Sequence, residues 1–274
     1  MATVTPARIG IALPAGRSLG PDSIAESARR IEAAGFASAW VFDTVGRGFV
    51  YQDPLIALAS AAGATKAIEL GTGILQVPLR NPVNLAREVI TAQLVCGGRL
   101  LLGVGAGSTP ADFAAVGVDF ASRFRRFDRS LATMKKLWSG ETVGEASLGT
   151  PWPGTAGGPP ILIGSWAGSR WVARAATDFD GWIGSGARAS WNVLADGIER
   201  FRIFGGKRAI VTNVLVSFEA DASPDGPDDA VTLVGPKATV ADRLRRLSAL
   251  GFDDVVLVPR RHDAEHLAEL RSLL

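Results

Sequence analysis

Eight short aliphatic or β-branched runs alternate with eight amphipathic stretches along this chain of 274 residues, and that alternation limits the fold more than any other feature. Strands are predicted at 8–13, 38–42, 68–75, 99–104, 161–163, 181–184, 209–218 and 254–258. Helices are predicted over 21–34, 54–62, 82–95, 123–138, 169–176, 189–204, 239–250 and 263–273, with Pro21 suited to a first helical turn and Gly35 to a stop. Strict alternation implies parallel strands joined by helical crossovers, because a parallel connection is too long for a hairpin. Eight such units favour a closed α/β structure, the (β/α)8 TIM barrel, over an open doubly wound sheet, and the length is close to the roughly 250 residues usual for that barrel. One domain over 1–274 with short insertions is expected. The longest connections are 105–122, the Gly- and Pro-rich stretch 140–160, and the acidic stretch 219–229.

Composition narrows the function classes. Forty-seven per cent of the residues are hydrophobic and 20% charged, enough for a large core and unlike a disordered chain. Twenty-nine basic residues against 27 acidic ones give a net charge of +2, with no basic stripe to track nucleic acid. The single cysteine, Cys96, lies in an apolar helical stretch and reads as a buried thiol, which fits a reducing cytoplasm. Residues 1–14 lack a charged segment ahead of an apolar core, and no apolar run reaches the roughly 18 residues of a membrane span. A cytoplasmic protein acting on a small molecule is expected.

Barrel active sites form where strands end and the following loops begin. That rule selects Asp43 and Thr44 after the second strand, Gln76 and Val77 after the third, and the glycine run ending in Gly107 and Ser108 after the fourth. It also selects Gly164, Ser165, Trp166 and Gly168 after the fifth, and Ser185 and Gly186 after the sixth. Asp43 is the strand-end carboxylate able to bond a cofactor ring or orient Thr44; capping a loop is the other reading. Gly-rich turns before a helix suit a phosphate, since backbone N–H groups point outward there, and two neighbouring turns converge on one place. They also occur as ordinary tight turns. The run at 103–107 lacks the spacing of a dinucleotide fingerprint. Arg123, Arg125 and Arg126 open the helix at 123–138, where one of them is placed to meet an anion. Trp166 and Trp182 wall a pocket or pack the barrel against its helices. His262 and His266 have metal-ligand spacing without a third ligand, so a solvated helix face is expected there.

Several segments together resemble the luciferase-like monooxygenase family. They are RIEAAGFASAWVFD at 30–43, ELGTGILQVPLRNPVNLAREV at 69–89, GGRLLLGVGAG at 97–107, RFRRFDRSLATMKKLWSGE at 123–141, GGPPILIGSWAG at 157–168 and GPKATVADRLRRLSALGFDDVVLVP at 235–259. The resemblance implies a (β/α)8 oxidoreductase that uses FMN or the deazaflavin coenzyme F420, working as a homodimer on a small organic substrate. It implies a ring seated against a non-prolyl cis peptide near Leu75, Gln76 and Val77. Phosphate contacts would come from Gly164, Ser165 and Gly168 and from Arg123 or its neighbours. Two positions depart from the family pattern: Thr44 stands where many deazaflavin-dependent dehydrogenases carry histidine, and Ala106 where luciferase-type members often carry a basic residue. A non-catalytic flavin-binding barrel and a cofactor-independent barrel enzyme acting on a phosphorylated metabolite are the alternatives.

Overall fold

The computed structural model describes residues 7–15, 24–219 and 230–273. The strands are β1 (Arg8–Ala12), β2 (Ser38–Val41), β3 (Glu69–Thr72), β4 (Leu75–Gln76), β5 (Leu100–Gly105), β6 (Ile161–Gly164), β7 (Gly181–Ser185), β8 (Arg208–Ser217), β9 (Leu233–Val234) and β10 (Asp254–Pro259). The helices are α1 (Ile24–Ala33), α2 (Pro54–Ala64), α3 (Pro82–Val95), α4 (Pro110–Ala115), α5 (Arg123–Trp138), α6 (Trp171–Thr177), α7 (Trp191–Ile203), α8 (Lys237–Ala249) and α9 (Ala264–Arg271). All strand pairs are parallel, and β10 pairs with both β1 and β8, which closes the barrel. The predicted alternation is therefore a TIM barrel, with β4 and β9 as short additions at its rim. Helix starts follow sequence signals: Asp53 caps α2 by accepting from Leu55 N and Ile56 N, Asn81 caps α3, and Pro54 and Pro82 follow each cap.

Four details depart from the sequence reading. The third strand breaks after Thr72, and the cis peptide expected near Leu75, Gln76 and Val77 is the Gly73–Ile74 bond. The connection 105–122 contains α4, whose Phe113 is fully buried. Strand β9 adds to the end of β8. Residues 21–23 of the first predicted helix and 220–229 of the acidic connection lie outside the described residues.

The interior is filled by Trp40, Leu101, Leu162, Ile183, Ile210 and Val256 from six different strands. Trp40 is the largest, and it fits because β1 and β3 carry glycine beside it. A Cβ on Gly10 would lie 2.8 Å from the indole nitrogen, and one on Gly71 2.4 Å from the six-membered ring. The indole N–H donates to Ser38 Oγ at 2.7 Å. In β8, Val211 pairs with Val255 and Val214 with Leu257, so Thr212 and Asn213 together oppose Val256. This is a β-bulge, and Asn213 adopts a left-handed φ of 56° within it. Cys96 is free and buried, and burial pushes its thiol up to about 11, so the core-thiol expectation holds.

The N-terminal ends of β1, β3, β8 and β10 are tied by charge. Arg208 binds Glu69 at 2.7 and 3.0 Å and Asp254 at 2.8 and 3.1 Å, and Arg8 bonds both carboxylates as well. Burial opposes the Glu69 charge, but its hydrogen bonds and charge contacts with Arg208 and Arg8 prevail and hold its pKa below the usual carboxylate range. A depressed folded pKa adds stability above the unfolded value of about 4.3, and this is lost as pH falls through the folded pKa. Glu69→Gln should therefore lower stability by about 1–3 kcal/mol at pH 7. The gap to the unsubstituted protein should narrow as urea midpoints are taken below pH 4.3, whereas a constant gap would assign the effect to packing.

Candidate active site

A cavity of about 350 Å³ opens at the C-terminal ends of the strands. Its floor is made by glycines and by the Ile74 and Gln76 side chains packed against them. A Cβ on Gly164 would stand 2.3 Å from Ile74 Cγ2, one on Gly105 2.7 Å from Ile74 Cδ1, and one on Gly107 2.6 Å from Gln76 Oε1. Glycine at these positions makes room for the Ile74 and Gln76 side chains, which line the cavity there. Phe124 and Phe127 from α5 and Trp171 from α6 form an apolar wall: the Phe124 and Trp171 rings stack at 6.5 Å, and Phe127 meets Trp171 edge-on at 5.1 Å. The β8 bulge brings Thr212 and Asn213 to the opposite lining.

A chain of polar contacts runs beneath one side. Asp43 Oδ2 accepts from Gln76 N at 2.8 Å and from Arg80 Nη1 at 2.6 Å, and Oδ1 accepts from Arg80 Nη2 at 3.2 Å. Gln76 Nε2 donates to Asp43 O at 3.1 Å and to Asp112 Oδ2 at 3.0 Å. Both of its hydrogens are spent, which fixes the amide orientation and leaves Oε1 as a buried acceptor with no partner among the described residues. Ser165 Oγ is buried and unpartnered in the same way. Burial works against the Arg80 charge, yet its bonds to Asp43 prevail and raise its pKa further. Arg47, another lining residue, is paired with Asp112, whereas Arg188 has no carboxylate partner among the described residues.

The luciferase-like monooxygenase family model matches residues 1–219. The chain belongs to that family. Luciferase-like relatives include a 4-hydroxyprotoasukamycin monooxygenase of Streptomyces nodosus subsp. asukaensis, 34% identical over 117 residues that cover 42% of this chain and 32% of that one. An F420-dependent glucose-6-phosphate dehydrogenase of Amycolatopsis mediterranei is 32% identical over 132 residues, 45% of this chain and 40% of the relative. These matches span about a third to two fifths of the relatives' own lengths. Among solved structures, an F420-dependent secondary alcohol dehydrogenase in complex with an F420-acetone adduct superposes with a TM-score of 0.76 at 16% identity, covering 98% of both chains. The oxygenating constituent of 3,6-diketocamphane monooxygenase from Pseudomonas putida, in complex with FMN, gives 0.72 at 17% identity over 98% of this chain and 95% of that one. At these identities the superpositions establish the luciferase-like fold.

Of the residues selected from sequence, Asp43, Thr44, Gln76, Gly107, Ser108, Gly164, Ser165, Trp166 and Ser185 line the cavity. Five do not. Leu75 and Val77 flank Gln76, and alternation along the strand turns both into the core, where they are fully buried. Arg123 places its guanidinium 3.9 Å from the Phe120 centroid and 4.4 Å from that of Phe124, and donates to Phe120 O, so it is stacked in place rather than aimed at the cavity. Gly168 faces open space, and Gly186 packs close to Val231 O and Val214. Trp182 is fully buried against Phe201 and Phe252. His266 is buried against Phe218 instead of solvated, and His262, in the loop before α9, has Nε2 2.8 Å from Ala12 O. Burial lowers the His262 pKa, and neither histidine lines the cavity. Among the described residues no cluster is suited to a metal ion. Sequence reasoning missed Arg47, Arg188, Thr212, Asn213 and the Phe124–Trp171 wall. The one available signal was the polar Thr212-Asn213 pair interrupting an apolar strand.

Proposed function

We propose that this luciferase-like barrel is an oxidoreductase that holds FMN or F420 in this cavity and acts on a small organic substrate against the aromatic wall. The observation that carries the reading is the pair of buried, unpartnered polar atoms, Ser165 Oγ and Gln76 Oε1, on two residues that line the cavity. Burying polar atoms without partners costs about 1–3 kcal/mol each, which a ligand offering a phosphate and a ring N–H would recover. The residues present therefore fit such a group. Gln76 would accept an N–H of the ring, and Ser165 and Ser185 would meet the phosphate. Arg188 would take the anion-binding role expected of Arg123. A bound flavin or deazaflavin supplies two-electron chemistry that protein side chains lack, and a reduced flavin can also activate dioxygen.

The chain's own residues orient and shield. Asp43 serves as a positioning carboxylate, because Arg80 and the Gln76 N–H occupy it, while Thr44 beside it lines the cavity. Phe124, Phe127 and Trp171 exclude water from the substrate side. In the same reading the working unit is a cytoplasmic homodimer. The free buried Cys96 thiol is in keeping with a reducing compartment.

Fluorescence titration of the purified protein with FMN and, separately, with F420 tests the reading: saturable binding of one is expected, and binding of neither would overturn it. Like-charge contact costs several kcal/mol, so Ser165→Asp should weaken binding by about 100-fold or more. Unchanged affinity would remove Ser165 from the phosphate site.

A further inference from the structure

Arg47 follows β2, and its partner Asp112 lies on α4, fully buried and outside the cavity lining. Arg47 Nε donates to Asp112 Oδ1 at 3.1 Å and Nη2 to Oδ2 at 2.7 Å. These two bonds use the side edge of the guanidinium. A guanidinium has a second two-pronged edge, formed by Nη1 and the remaining hydrogen of Nη2, which matches a carboxylate as well as the first does. No acceptor among the described residues occupies that edge, and Arg47, unlike Asp112, lines the cavity. Asp112 is itself held by Gln76 Nε2 at 3.0 Å, so the guanidinium is fixed from behind before any ligand arrives. Simple neutralisation of Asp112 would be served by an arginine turned away from the cavity. The rest of the lining supplies an apolar body to go with this charged fork, in Phe124 and Trp171.

We infer that Arg47 is a specificity-determining residue whose free guanidinium edge binds the carboxylate of an aromatic or similarly apolar acid, making such acids the substrate class of this site. The inference rests on the proposed oxidoreductase reading for its chemistry but is tested apart from it. Arg188 remains assigned to the cofactor phosphate, so the two cations divide the ligand load between them.

The test is titration of the full chain, with and without FMN or F420, against benzoate and phenylacetate and their uncharged counterparts benzamide and phenylacetamide. Binding is followed by tryptophan fluorescence, since Trp166 and Trp171 line the cavity. The acids should bind at least about tenfold more tightly than the amides, a difference of about 1.4 kcal/mol. Arg47→Gln alone would strand the buried Asp112, so the informative variant is Arg47→Gln with Asp112→Asn, in which the preference should fall to about threefold or less. Arg188→Gln should keep the preference. Equal binding of acids and amides by the unsubstituted protein would overturn the inference. So would a preference that survives the double variant, or one abolished by Arg188→Gln. Failure to bind either cofactor while the acid preference persists would remove the oxidoreductase reading and leave the role of Arg47 standing.

Discussion

Replacing Arg80 with methionine is expected to lower the unfolding free energy by about 3–5 kcal/mol, the cost of leaving a buried carboxylate without its counter-charge. Asp43 retains only 3% of its side-chain exposure, and Arg80 supplies two of the three hydrogen bonds to it. Asp53, 3.4 Å from the same guanidinium, is more exposed and can solvate itself. The loss should therefore come from Asp43, and a double variant with Asp43→Asn should recover most of it, because the amide oxygen still accepts from Gln76 N. Urea unfolding followed by circular dichroism measures both. A single variant within 1 kcal/mol of the parent would show that water reaches Asp43 and that the pair is ordinary surface charge.

Gly103→Ala should be almost as damaging for a steric reason. A Cβ at Gly103 would lie 1.9 Å from the carbonyl oxygen of Thr72 and 2.5 Å from Ile183 Cδ1. The first of these is backbone, in a neighbouring barrel strand, and Thr72 Oγ1 already donates to Gly103 O at 2.7 Å across the same gap. Overpacking a core costs about 1–3 kcal/mol where side chains can yield, and a backbone clash should reach about 3 kcal/mol or more. Gly168→Ala is the control, since a Cβ there has nothing within 4 Å. The urea midpoint should drop steeply for the first and hardly move for the second; equal drops would mean that loss of glycine, not the clash, sets the cost.

The barrel was legible because its signal is repeated eight times, so errors at single boundaries did not alter the count. Strand-end residues were legible for the same reason: a strand that stops at Val41 must present Asp43 and Thr44 near the mouth. What failed was the direction of individual side chains. Leu75, Gln76 and Val77 are equivalent as letters, and only the register with Val104 and Gly105 shows that the middle one faces the cavity. Arg123 and Arg188 both follow a strand or a long loop, but the rings of Phe120 and Phe124 hold the first, and nothing in the order of letters reveals that. The Arg47–Asp112 pair joins residues 65 positions apart, and no local pattern couples them. Within 208–217 the apolar alternation hides a bulge that becomes visible only when two residues are seen facing one.

Closure of the barrel through β1 and β10 also bears on how the molecule is made. Arg8 to Ile11 of β1 find one of their two neighbours in Asp254 to Leu257 of β10. At a synthesis rate of about 5–20 residues per second, β1 leaves the ribosome on the order of 10–50 seconds before that neighbour exists. During that interval one edge of β1 carries unpaired backbone N–H and C=O groups, flanked by Ile9 and Ile11, both buried in the finished barrel. The nascent chain must therefore be kept from pairing with other chains until its last strand appears, so crowded or rapid expression will favour aggregation at the first strand well before any ligand site has formed.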